Sequence, residues 1–251
     1  MRCLIGLLVL LLLAGCAKKE TVSPERALYN QAVERLKAGD YDEANRLLKQ
    51  FVDQSPNIVP ALRDVYLAYV RTPNYPPDRA YEIMVAYEPR AKEMTVAVDR
   101  SSYYQVLGTL AFLSGKNREA DRWFRIAVET DPQNHIALND YAYMLAEEGR
   151  DLERALKMAQ RAVAIKSGQG SYYDTLGWVL YKMGRYEEAL RELRIAVQTA
   201  PETAELRYHL AATYAKLGRT QDALVELEKA LTLKPNYEPA YKLQQELKGK
   251  Q

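Results

Sequence analysis

Residues 171–202 read SYYDTLGWVLYKMGRYEEALRELRIAVQTAPE. Taken at helical spacing, the apolar residues fall on one face of two successive helices. A short turn around Gly184 and Arg185 separates them. Gly177 in the first helix and Ala189 in the second sit on facing sides, where two backbones must come close. The stretch therefore predicts a tight antiparallel helix pair with a small-residue crossing.

The same two small-residue positions recur along the chain. The first-helix position holds Ala32, Ala68, Gly108, Ala142, Gly177 and Ala211, and the second-helix position holds Ala44, Ala80, Ala120, Ala155, Ala189 and Ala223. Neighbours in the second series are 36, 40, 35, 34 and 34 residues apart. Every occupant is Ala or Gly, which close helix packing explains, because extra methylenes there overpack the crossing. The unit resembles the tetratricopeptide repeat, a helix–turn–helix of about 34 residues. Leu176–Gly177, Leu180, Gly184, Tyr186, Ala189, Leu193, Ala196 and Pro201 occupy that family's signature positions. The resemblance implies an all-α fold, a right-handed α-solenoid of about six repeats, each buried on its neighbours rather than in one central core.

Repeat boundaries follow from turns and prolines. The first repeat spans about 25–58, with Gly39–Asp40–Tyr41 as its turn and Pro56 at its end. The second, about 59–90, is degenerate: Pro73, Pro76 and Pro77 crowd its turn, which must be longer than usual. Its second helix is expected to end near Pro89, and residues 91–100 form an insertion whose sequence does not decide between a helix extension and a loop. Four regular repeats follow at about 101–134, 135–169, 170–203 and 204–237. Pro132, Pro201 and Pro235 close three of them and Ser167–Gly168 the other, while the turn at Gly149 is one residue longer than its counterparts. Residues 238–251 supply a capping helix with a polar outer face.

Composition narrows the function classes. The formal net charge is +2, with both signs interspersed along the helices, which describes solvated faces and excludes a nucleic-acid stripe. The two cysteines, Cys3 and Cys16, both precede the repeats, so the repeats hold no disulfide, zinc–thiolate site or cysteine nucleophile. His135 and His209 lie far apart with no ligand-spaced partner, and both are expected to be ordinary helix-surface residues. Gly108, Gly115–Lys116–Asn117 lacks the spacing and the Ser/Thr of a phosphate loop. The paired acids Glu147–Glu148 and Glu187–Glu188 flank repeat turns and read as solvated helix surface. No catalytic residue, metal ligand or cofactor is expected, and the chain is read as a non-enzyme.

The first residues read as an address. Arg2 precedes an apolar run over 4–13, shorter than the roughly 20 residues that a membrane-spanning helix needs. It fits the apolar region of a secretory signal peptide over 1–15. Leu13–Ala14–Gly15–Cys16 resembles the lipobox of bacterial lipoproteins. That resemblance implies cleavage before Cys16 and lipidation of its thiol, with 16–24 as a tether. Two or more acyl chains hold a protein stably on a membrane. Ala17 in place of aspartate implies, by the same family's sorting rule, the periplasmic face of an outer membrane.

In the tetratricopeptide family the first helices line a concave groove, and the second, fifth, ninth, twelfth and thirteenth residues of each repeat face it. Carried over, these include Gln105, Thr109, Phe112, Asn139, Tyr143, Glu147, Asp174, Trp178, Tyr181, Lys182, Glu205, Tyr208 and Lys216. Trp178, Tyr143, Tyr181 and Tyr208 are expected to form an aromatic cluster there, with Trp178 the leading partner contact. The family's carboxylate clamp is missing its lysine, and Asp174 would repel a carboxylate. The resemblance thus implies a protein-binding adaptor of the bacterial envelope. A pilotin-like assembly factor and a polysaccharide-export component share this architecture.

Overall fold

The computed structural model describes residues 23–249; the apolar run, Cys16 and residues 17–22 of the tether lie outside them. Fourteen helices and no strand are found among the described residues. None of these helices is long and apolar enough to cross a membrane.

Two compact units divide the described residues, with the boundary between Tyr75 and Pro76. The division falls inside the proline-rich turn of the second repeat. In the first unit α1 (Pro24–Lys37) and α2 (Tyr41–Gln54) form a hairpin, and α3 (Ile58–Val70) packs against both. In the second unit α4 (Pro77–Val85) packs on α6 (Ala97–Leu113). The short α5 (Glu88–Ala91) carries Pro89 in its first turn, so α4 ends at Val85, before that proline. The 91–100 stretch proves mixed: Ala91 ends α5, 92–96 connect, and 97–100 are the first turn of α6.

Four hairpins make up the regular block. They are α6 with α7 (Asn117–Thr130), α8 (His135–Glu148) with α9 (Leu152–Ile165), α10 (Gly170–Lys182) with α11 (Tyr186–Thr199), and α12 (Ala204–Lys216) with α13 (Thr220–Leu233). The cap is α14 (Glu238–Lys248), which buries Ala240 and Leu247 against Ala211, Ala223 and Leu227.

One turn design recurs in both units. Gly184 takes φ of 78°, a left-handed conformation, and the next N–H, that of Arg185, bonds back to Leu180 O at 2.9 Å. This closes the last carbonyls of the helix and reverses the chain in a few residues. The longer turn after α8 keeps Gly149 in this role and places its extra residue, Asp151, at φ of 50°, which a short polar side chain tolerates.

The small-residue positions are where backbones meet. Every second-helix alanine of the series is fully buried. A Cβ on Gly177 would lie 2.6 Å from Leu193 Cγ and 3.2 Å from Ala189 O, and one on Gly108 would lie 2.6 Å from the Phe124 ring. Ala189→Leu should therefore lower stability by about 1–3 kcal/mol through overpacking. Urea denaturation checks this: an unchanged midpoint would mean that the α10–α11 crossing has room to spare.

Candidate binding groove

The first helices α6, α8, α10 and α12 carry the groove positions, and each packs on the next, which brings residues about one repeat apart within bonding distance. The fifth position of one repeat meets the sixth of the following one. Gln105 Nε2 donates to Asp140 Oδ2 at 2.7 Å, and Thr109 Oγ1 donates to the same oxygen at 3.1 Å. Asp174 meets His209 Nδ1 at 2.9 and 3.0 Å from its two carboxylate oxygens. At the junction between repeats 135–169 and 170–203 the two positions hold Asn139 and Thr175, both buried and neither charged. The Asn139 amide nitrogen donates to Asp140 Oδ1 at 3.3 Å, while its Oδ1 is buried with no partner.

His209 corrects the expectation of a helix-surface histidine. It is 2% exposed, ion-paired and stacked on the Trp178 ring at 4.0 Å. His135 is half-buried and bonds the Tyr172 hydroxyl at 2.6 Å. Among the described residues no cluster of three or more His, Cys, Asp or Glu could hold a metal ion.

The aromatic residues converge as a row. Phe112 meets Tyr143 edge-on at 6.4 Å, Tyr181 stacks on Trp178 at 4.6 Å, and Tyr208 meets Tyr237 edge-on at 5.5 Å. Phe112, Tyr143, Tyr181 and Tyr208 are half-buried, each keeping part of its surface open. Trp178 is only 6% exposed: Tyr181 and His209 stack on it, and its indole N–H donates to Glu147 Oε1. It supports the row from beneath, and the rings around it keep the open surface.

Two exposed carboxylates complete the face. Glu147 holds the indole N–H and lies 3.6 Å from Lys182 Nζ, which itself stands 5.0 Å over the Trp178 ring. Glu205 accepts the Tyr143 hydroxyl at 2.8 Å, reaching across α10 from α12 to α8.

These surroundings shift the titratable groups. Burial drives the Tyr143 hydroxyl well above the ordinary phenol range, and the negative fields of Glu205, Glu147 and Asp174 add to the rise. Tyr208 rises through burial and Glu147, and burial pushes Tyr181 up to about 12. All three stay protonated donors at neutral pH. Burial alone would lower the His209 imidazole, but Asp174, helped by Glu205 and Glu147, outweighs it and raises it. Burial raises the Asp140 carboxyl despite the three donors that favour its charge.

Asp140, His209 and Tyr237 were missed by position-matching, because none occupies a groove position. Pairing each fifth position with the sixth of the next repeat, 35 residues on, finds the first two directly. Of the remaining candidates, Gln105 is buried in the Asp140 network, Thr109 and Lys182 are half-buried, and Lys216 is exposed. Cys16 lies outside the described residues.

Known proteins share this repeat pattern. A sequence profile described as Tetratricopeptide repeat matches residues 106–170 and 175–238, over half of the chain, and a second profile of that description matches 26–57. The chain is 26% identical over 178 residues to TPR repeat-containing protein PA4667 of Pseudomonas aeruginosa, covering 70% of this chain and 28% of that protein. It spans less than half the length of the curated relatives it matches first. Among solved structures, the APC/C hetero-tetramer Cut9–Hcn1 aligns with a TM-score of 0.67 at 16% identity, over 89% of this chain and 42% of that one. TTC0263, a thermophilic TPR protein of Thermus thermophilus, aligns with a TM-score of 0.54 at 18% identity, over 89% of this chain and 98% of that one. At such identities the structures share the solenoid fold alone.

Proposed function

The chain belongs to the tetratricopeptide repeat family, and on that premise we propose that it is a non-catalytic adaptor whose first-helix groove holds a segment of a partner protein. The observation that carries this is the row of half-buried rings, Phe112, Tyr143, Tyr181 and Tyr208, set along successive first helices beside exposed carboxylates. Rigid aromatics that keep one face open and anchor a hydroxyl are the groups that concentrate binding energy at protein interfaces.

In this proposal the array works at a bacterial envelope membrane. Support comes from the Leu13–Ala14–Gly15–Cys16 lipobox resemblance and from Ala17, which point to lipid at Cys16 and to the periplasmic face of an outer membrane. A tether of about eight residues then keeps the groove within a few nanometres of the lipid surface. Cys16→Ser should move the protein from the membrane fraction to the soluble periplasmic extract. Retention in the membrane would remove the lipid anchor from the proposal.

The groove itself is tested by photo-crosslinking in intact envelopes. A benzophenone side chain at Tyr208 should capture a discrete protein partner, and one at the exposed Glu187 on α11 should not. Capture from Glu187 and not from Tyr208 would move the site to the second-helix face. Capture of glycan in place of protein would favour the polysaccharide-export alternative.

A further inference from the structure

We propose that the outer faces of the second helices α7, α9 and α11 form a docking surface for anionic lipid headgroups. It rests on the membrane location proposed for the array and adds which side of the array meets the lipid.

Along the sequence both charge signs alternate, but the structure sorts them. Each of these helices carries one cation two residues after its buried alanine and another five or six residues after it. These are Arg122 and Arg125, Lys157 and Arg161, and Arg191 and Arg194. Such spacing sets each pair on one helix face, and all six side chains are exposed. Arg191 makes one long contact, 3.9 Å, to Glu188, a carboxylate that Arg185 already holds through two bonds of 2.7 Å. The other five make no ion pair among the described residues. Arg122 stands 4.4 Å over the Trp123 ring, a neutral partner that leaves its charge in place.

The acids gather at the opposite end of each helix. Asp121 accepts Arg150 at 2.8 Å and the Tyr141 hydroxyl, beside the start of α9. The Arg185 guanidinium is raised by Glu188 and, across the repeat boundary, by Glu153. These links set the N-terminal ends of the three helices side by side. Glu119 and Glu187 also stay in the first turns, where the helix dipole favours an acid. From Arg122, Lys157 and Arg191 onward to the helix ends, six cations meet two acids, Glu129 and the half-buried Glu192. The band stops at α13, where Val225, Glu228 and Lys229 hold the equivalent positions and Lys229 is paired with Glu226.

The cations are long, exposed and spread over three helices, which suits a plane of phosphates better than one small anion. Ile165 and Ile195, 37% and 38% exposed, stand among them, and aliphatic side chains beside basic ones match the boundary between headgroups and acyl chains. The aromatic row lies on the first helices, so an array laid on its second helices keeps the groove open to its partner. The face orients an anchored array. By itself it binds reversibly, and a salt wash releases it, so it does not hold the Cys16→Ser protein in washed membranes.

The test uses Cys16→Ser protein from the periplasmic extract, so that binding reports the face without acyl chains. It is sedimented with vesicles of phosphatidylcholine alone and of phosphatidylcholine with one-third phosphatidylglycerol. The anionic vesicles should bind it more tightly, with affinity falling as salt is raised. Lys157→Gln/Arg161→Gln should weaken that binding about 25-fold, at about fivefold per charge. Lys37→Gln/Lys248→Gln removes the same charge from α1 and α14 and should leave binding unchanged. Circular dichroism confirms that the variants are folded. Equal binding to both vesicles, or anionic binding insensitive to Lys157→Gln/Arg161→Gln, would overturn the lipid face. Binding of a labelled polyglutamate peptide without binding of anionic vesicles would also overturn it, and would assign the face to an acidic protein. Each of these results leaves the acyl anchor standing, because fractionation of the parent against Cys16→Ser decides that separately.

Discussion

Trp178→Ala should unfold the regular repeats more readily by about 3–5 kcal/mol, the loss expected when a buried tryptophan is truncated. The residue is 6% exposed, stacks on Tyr181 and His209, and satisfies Glu147 through its indole N–H. Removing it opens a cavity under three side chains at once. The same substitution at a ring that merely faced a partner would leave stability within about 0.5 kcal/mol. Urea denaturation of Trp178→Ala beside Ala189→Leu separates the two roles. A parent-like midpoint for Trp178→Ala would mean that the indole is a surface contact. Because binding falls with folding here, partner assays should use Tyr208→Ala, whose ring is half-buried.

The second large effect concerns the buried ion pair. Asp174→Ala should cost about 3–5 kcal/mol at acidic pH, the penalty of leaving one member of a buried pair alone. The pair is enclosed, with His209 2% and Asp174 5% exposed. Its pH dependence has a definite sign. The folded His209 is raised above the ordinary histidine value of about 6.5. Its contribution is therefore complete below that value and fades as pH rises through the folded pKa. In the variant, burial is no longer outweighed by the adjacent carboxylate, and protonation opposes folding. The stability difference between parent and variant should accordingly be larger at pH 5.5 than at pH 8.5. A difference that is flat or larger at pH 8.5 would mean that the imidazole is neutral in the native pair.

Much of the architecture is legible because it is local. The Gly184 turn, the Ala/Gly crossings and the terminating prolines each act within one repeat, so reading each unit by itself recovers the helices. The second repeat was harder, since Pro76, Pro77 and Pro89 mark breaks without saying what lies between them; α5 and the 92–96 connection fill that space. Register brings Trp178, Tyr181 and Tyr208 into ring contact, while Tyr143 meets Phe112 and the Glu205 carboxylate instead. Register says nothing of depth. Which ring of a cluster is covered depends on the neighbouring repeat, and here His209 on α12 covers Trp178 on α10. A position beside the groove likewise escapes notice until the next helix is placed against it. That is why Asp140 and His209, partners of Gln105 and Asp174, were overlooked.

The hydrogen bond between Tyr143 and Glu205 joins repeats that are not sequence neighbours, since α10 lies between them. In a solenoid with nearest-neighbour contacts alone, the terminal repeat frays without consulting the unit two places back. This bond adds a second-neighbour coupling of about 0.5–1.5 kcal/mol, the net worth of one hydrogen bond, so fraying of α12 is opposed from α8 as well as from α10.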